Sequence, residues 1–364
     1  MKFVTSSKTL LQTCLRAAAA VGSNPVLPIL ESLKFEVKNN QLTVTGSDLE
    51  ITCIATCDVT GTDGTICIPA KILVDTLKAL PESPITLEVG ENNICAITSS
   101  NGKYKMPGEN ATDFPQAPQM DTTPIFSFQA GEMLEALNRV GFAASSDELR
   151  PAMCGINMEK DGEDLTFTAT DAHRLANYSS TQEAADFAPV ILSKRFFVAL
   201  KNLLSGNSQG QMLTTRDNVC ADMPGLRIIG RLVDARYPDW RNVVPKDNPI
   251  TATLNRSAFA AALRRVSLFS NKTTNQVILN FQDGNLTISA ADLDFSNEGV
   301  EQLECKLEGS PLEIGFNGRF ALEALNAFQG DEITIEMSSP NRAGIMRCEG
   351  ESLFVLVMPV MLTA

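Results

Sequence analysis

Runs in which apolar and polar residues alternate one by one recur along the chain, as in Leu33-Lys34-Phe35-Glu36-Val37 and Ile333-Thr334-Ile335-Glu336-Met337. Period-two alternation marks strands with one buried and one solvated face, the habit of antiparallel sheets. Six other stretches place apolar residues at helical spacing. Phe259, Leu263 and Val266 fall at i, i+4 and i+7, and Phe196, Phe197, Leu200, Leu203 and Leu204 form one apolar face. The spacing predicts helices over 6–20, 70–80, 130–144, 193–204, 256–269 and 317–328. Turn signals Lys38-Asn39-Asn40, Asp161-Gly162 and Asp283-Gly284 each stand before a strand of one recurring composition.

That strand reads Leu42-Thr43-Val44-Thr45-Gly46-Ser47-Asp48, then Leu165-Thr166-Phe167-Thr168-Ala169-Thr170-Asp171, then Leu286-Thr287-Ile288-Ser289-Ala290-Ala291-Asp292. Its aspartates lie 123 and 121 residues apart, and the same intervals separate Phe114-Pro115, Tyr237-Pro238 and Met358-Pro359. A period this long describes whole domains, because about 100 to 200 residues is the usual domain size. Three copies of one unit are expected, over 1–120, 121–247 and 248–364, each with two helices packed on antiparallel sheets, an α+β architecture. Polar, proline-bearing links at 116–124 and 245–249 mark the joins.

Composition adds three observations to this picture. The nine cysteines include no Cys-x-x-Cys spacing, so neither a disulfide framework nor a zinc ribbon is indicated, and reduced core thiols are expected. No run of about 18 apolar residues and no signal-peptide pattern is present, which points to the cytoplasm. The net charge of −13 argues against nucleic acid when only the total is read. Yet the six helical stretches together carry +8, which leaves −21 for the rest of a chain whose total is −13. Lysines and arginines are ordinary on solvated helix faces. Concentrated on three pairs of equivalent helices, they could also line a phosphate-facing surface without base-reading groups.

Candidate catalytic chemistry is weak. Gly206-Asn207-Ser208-Gln209-Gly210 matches the nucleophile-elbow pattern in letters, but a helix precedes it and a strand follows, the reverse of the required order. The single histidine, His173, beside Asp171 resembles an acid/base pair. Asp48 and Asp292 occupy the same place in copies without histidine, which favours a structural turn role for the aspartate. No phosphate-binding Gly-Lys-Ser/Thr loop and no carboxylate cluster for a metal are present. No catalytic residue, metal or cofactor is therefore expected. A small-molecule hydrolase or transferase centred on His173, and a three-domain protein-binding scaffold that does not encircle DNA, stand as rival readings.

The threefold unit, together with Thr170-Asp171-Ala172-His173-Arg174-Leu175, Tyr237-Pro238-Asp239-Trp240-Arg241, Gly315-Phe316-Asn317 and Val357-Met358-Pro359-Val360-Met361-Leu362, resembles the bacterial DNA polymerase III β subunit family, the sliding clamps. The resemblance spans the whole chain. It implies a head-to-tail homodimer, a ring of six domains whose helices face double-stranded DNA without sequence preference, and a non-catalytic role in polymerase processivity. By the resemblance the DNA-facing cations are Lys8, Arg16, Lys78, Arg139, Lys194, Arg195, Lys201, Arg264 and Arg265. Subunit contacts fall to Lys71, Ile72, Asp75 and Tyr104 on one side, and Leu268 and Phe269 on the other.

The resemblance further implies a cleft where the polymerase III α subunit, the clamp loader, other polymerases and repair proteins dock short linear motifs. Its residues are Met153, Thr170, Ala172, His173, Arg174, Leu175, Pro238, Asn242, Val243, Pro340, Arg342, Leu356, Met358, Pro359 and Val360. The chain departs from the family pattern at several positions. Ala172 stands where the family often has Gly, Pro151 and Ala152 replace an aromatic pair, Asn24 replaces a nearby Arg, and Met361 replaces a near-terminal Arg.

Overall fold

A computed structural model of the chain describes residues 1–22 and 25–362, so the expectation about Asn24 lies outside the described residues. Six α-helices form where the apolar spacing places them: α1 Ser7–Ala18, α2 Ala70–Ala79, α3 Ala130–Val140, α4 Lys194–Leu203, α5 Arg256–Val266 and α6 Gly318–Asn326. Four of them start on a side-chain cap. The side-chain oxygens of Ser6, Ser193, Asn255 and Asn317 accept from backbone N–H groups of the first turn of α1, α4, α5 and α6. Helices α3 and α5 are shorter than their apolar pattern, because each ends in a tighter 3-10 turn, at Gly141–Ala143 and Ser267–Phe269.

The described chain forms two compact units, and the middle copy of the repeat contributes to both. In the first unit, a five-stranded sheet runs in the order Thr60–Thr62, Lys2–Ser6, Pro84–Val89, Ile94–Thr98 and Lys103–Pro107. An eight-stranded sheet joins strands of the first and second copies. Its seam pairs Ile51–Asp58, which follows the first Leu-Thr strand, antiparallel with Leu226–Arg231, the last strand of the second copy. The core includes the fully buried Phe3, Leu10, Phe35 and Phe196. Each such side chain contributes about 1.5–3 kcal/mol of burial free energy. Gly46 in the Leu-Thr strand is required sterically, since a Cβ there would lie 2.2 Å from the Ala17 carbonyl oxygen of α1.

The second unit repeats the scheme. A nine-stranded sheet joins the second and third copies where Arg174–Ser180, after the second Leu-Thr strand, pairs antiparallel with Leu353–Val357, the last strand of the third. A four-stranded sheet ends at Asn297–Leu303. Phe167, Phe259, Phe281 and Phe316 fill the core.

None of the nine cysteines is in a disulfide, and all but Cys57 and Cys154 are buried. Burial pushes Cys53 and Cys67 up to about 12, and Cys95 and Cys220 up to about 11, so these thiols stay protonated and inert at neutral pH. Among the described residues no helix is long and apolar enough to cross a membrane.

Candidate functional site

The second unit contains a cavity of about 700 Å³ whose walls come from the second and third copies and the segment between them. Met153, Thr170, Ala172, Arg174 and Leu175 line one side, Pro238, Asn242 and Val243 the segment side, and Arg342, Leu356 and Met358 the other. All eleven belong to the set the sequence resemblance named. The seam between Arg174–Ser180 and Leu353–Val357 brings them together, placing Leu175 opposite Leu356.

The floor is an apolar cluster of Leu175, Trp240, Ala343 and Leu356, with Tyr237, Val244 and Phe354 against it. Trp240 is fixed by its indole N–H, which donates to Glu159 Oε1 at 3.1 Å. The Arg241 guanidinium lies 4.3 Å from the Trp240 ring centre and pairs with Glu159 and Asp161. Burial would lower the Arg241 pKa, but hydrogen bonds and charge from Asp161 and Glu159 raise it, so the cation persists at any working pH. Met358 and Val243 are 40 % and 57 % exposed, offering apolar surface at the rim. An apolar trough with a few fixed polar groups suits a short extended peptide.

Four residues of the expected set stand off the cavity lining. The tail has turned away beyond Met358: Pro359 bridges to Phe316, and the Val360 N–H donates to the Gly315 carbonyl. The His173 ring lies 6.1 Å from the Phe320 ring of α6, and Pro340 is exposed beside the lining residue Asn341. The walls missed by sequence reasoning are Asp239, Trp240, Arg241, Val244 to Asp247, Asn341 and Ala343. The chain's one tryptophan was the available signal.

Arg174 is buried and fully engaged. It donates to Asp171, Glu323 of α6 and the Phe142 carbonyl, and its guanidinium lies 4.4 Å from the Phe320 ring centre. Its part in the cleft is to hold the wall. Asp171 acts likewise: its Oδ1 accepts the His173 and Arg174 backbone N–H groups, both at 2.9 Å. Asp48 and Asp292 make the same kind of turn bond, to Glu50 and Ile51 and to Asp294. The shared aspartate is thus a turn-former, and the acid/base pairing with His173 has no geometric support.

Among the nine helix cations, Arg139 is a correction. Its side chain is buried on α3, bonded to Glu135, to Glu351 and to the Ala327 carbonyl, and is unavailable to phosphate. Lys8, Arg195 and Arg265 are exposed but paired with Glu82, Asp48 and Glu301. Lys194 is exposed on α4. Arg16, Lys78 and Arg264 are exposed and Lys201 half-buried, without an ion pair among the described residues. The expected subunit-contact residues Lys71, Ile72, Asp75, Tyr104, Leu268 and Phe269 are all exposed.

Family models for the N-terminal, central and C-terminal domains of the DNA polymerase III beta subunit match residues 1–118, 128–239 and 241–361. The chain is 28 % identical over 368 residues to a beta sliding clamp of Vibrio cholerae, covering all of both chains. It is 26 % identical over 354 residues to one from Staphylococcus aureus, covering 94 % of each. Crystal structures of the DNA polymerase III subunit beta from Pseudomonas aeruginosa and of the sliding clamp from Bacillus subtilis each superpose with a TM-score of 0.96 at 25 % identity over the full length of both chains. Three domain models in the family's own order and full-length likeness in sequence and fold leave one conclusion: the chain belongs to the DNA polymerase III beta subunit family, the non-catalytic sliding-clamp subunits of the polymerase.

Proposed function

We propose that two copies of this chain pair head to tail into a ring that encircles duplex DNA and tethers its polymerase through the cleft floored by Leu175, Trp240 and Leu356. The carrying observation is a rule of strand pairing. In the first and second copies, the strand after the Leu-Thr strand pairs with the last strand of the next copy. The third copy's equivalent strand, Asn297–Leu303, is a sheet edge, and so is the first copy's last strand, Lys103–Pro107. Continuing the rule joins these two edges between chains. Their free charges are opposite, Glu298 against Lys103 and Lys105, and exposed Tyr104, Leu268 and Phe269 lie on or beside them. Sheet edges left open invite association with wrong partners, so an edge with a matched mate is economically covered by dimerisation.

Three domains bounded near 120 and 247 then give six in the ring. Lys8, Arg16, Lys78, Lys194, Arg195, Lys201, Arg264 and Arg265 form its DNA-facing set. The polymerase III α subunit, the clamp loader, other polymerases and repair proteins would share the cleft in the cytoplasm. Tethering raises the polymerase's effective concentration at the primer end, which is what processivity requires. The test is to load the protein with a clamp loader on nicked circular DNA and then linearise it. A ring slides off the new ends within minutes; retention on linear DNA, or failure to load at all, overturns the proposal.

A further inference from the structure

The turn between Asn285–Asp292 and Asn297–Leu303 departs from its two counterparts. In the first copy the Asp48 N–H donates to the Ile51 carbonyl, leaving Leu49 and Glu50 as the turn. In the second the Asp171 N–H donates to the Arg174 carbonyl around Ala172 and His173. In the third Asp292 pairs with Asn297, so the turn is Leu293 to Ser296, two residues longer. The longer turn holds Leu293 and Phe295 at 90 % and 74 % exposure, on the strand that also carries Val300 at 52 %. Single exposed apolar residues are ordinary, but a group of them at an unpaired sheet edge marks a contact surface.

The shorter turns show where such a turn rests. In the first copy the Glu50 carbonyl accepts the Arg231 N–H, and Asp48 pairs with Arg195, the second residue of α4. In the second the His173 carbonyl accepts the Met358 N–H, the His173 ring faces Phe320, the third residue of α6, and Arg174 bonds Glu323, its sixth. Each turn therefore sits on the start of the second helix of the following copy. For the third turn that helix is α2, whose second, third and sixth residues are Lys71, Ile72 and Asp75. Ile72 is 52 % exposed, an apolar residue at the position where Phe320 is covered by the preceding turn.

We infer that Leu293 and Phe295 dock over Ile72 of the partner subunit, an apolar lock at the end of the subunit interface that the two internal junctions lack. This inference rests on the head-to-tail reading. The test measures the dimer dissociation constant of the full chain by sedimentation. Because Leu293 and Phe295 are exposed in the free chain, replacing both by Ser leaves the thermal melt of the monomer unchanged. The expected result is a dimer weakened roughly tenfold or more, because each exposed apolar side chain that the contact would bury is worth at least that much affinity. Ile72→Ser weakens it similarly, and combining the turn and helix changes costs less than the product of the two, the mark of groups in contact. An unchanged dissociation constant, or strictly multiplicative losses, overturns the lock. Leu268→Ala with Phe269→Ala separates the two ideas. If that variant becomes monomeric at micromolar concentration while the turn variant keeps the dissociation constant of the unaltered chain, only the lock fails. If the unaltered chain is itself monomeric, the head-to-tail reading fails with it.

Discussion

At the scale of single residues, the repeated turn shows how a structural requirement and a binding wall share one backbone. Ala172 lines the cleft with φ of 75°, and Leu49 adopts φ of 76° at the matching place in the first copy. The left-handed conformation costs an L-residue about 1–2 kcal/mol, and glycine avoids that cost while losing about 0.5–1 kcal/mol of chain entropy. The Asp171 side chain and the Thr170 hydroxyl, which accepts the Ala172 N–H at 3.2 Å, hold the strained turn in place. Ala172→Gly is therefore expected to stabilise the chain by about 0.5–1 kcal/mol, read as a higher urea midpoint with unchanged slope. A lower midpoint would mean that the Ala172 methyl packs on the wall more strongly than its backbone is strained. The resemblance singled out this position by its family glycine, and the positive φ supplies the physical reason.

At the scale of elements, the helices and hairpins were legible because their information is local. A 3.6-residue apolar period, capping residues such as Ser193 and Asn317, and Asn-Asn or Asp-Gly turns act within a few positions of themselves. The seams were not legible in that way. Nothing near Arg174 states that its strand pairs with Leu353–Val357, and the cleft depends on that pairing. Arg139 failed for the same reason: on α3 it reads as a surface cation, but a segment far along the chain supplies Glu351 and the Ala327 carbonyl to bury it. Burial alone would raise the Glu351 pKa. The backbone N–H groups of Gly330 and Gln329 and the Arg139 guanidinium overcome it, holding the carboxyl below its ordinary value. A depressed folded-state pKa contributes stability that is present above the unfolded value, near 4.3, and lost as pH falls through the folded value. Glu351→Gln should thus destabilise the chain by about 3 kcal/mol at pH 7, because Arg139 loses its buried partner. The deficit relative to the unaltered chain should shrink below pH 4.3. Denaturant midpoints at pH 7 and pH 3.5 measure both, and an equal deficit at the two pH values would show that Glu351 gives no charge-dependent stability.

At the scale of the whole molecule, the −13 total and the basic helices describe one arrangement if DNA is retained by topology. A protein held on duplex by charge through six to ten phosphate contacts loses about 10³–10⁵ in affinity between 50 and 200 mM salt. Of its expected DNA-facing cations, Arg139 is buried, Lys8, Arg195 and Arg265 are paired with carboxylates, Lys194 is exposed on α4, and Arg16, Lys78, Lys201 and Arg264 carry no ion pair among the described residues. In the proposed dimer these last four make about eight, a hold by charge alone that would weaken steeply with salt, whereas a closed ring is retained whatever the salt. Once loaded on a covalently closed circle, the protein is therefore expected to remain for the same time at 50 and 200 mM salt, and to leave linear DNA quickly at both. Replacing Arg16, Lys78, Lys201 and Arg264 by Glu should cut the amount loaded about tenfold through lost electrostatic attraction, without shortening residence on the closed circle. Filtration of labelled protein bound to circular DNA measures both quantities. Residence that falls steeply with salt would make charge the tether, and the repeated unit would then build a groove in place of a ring.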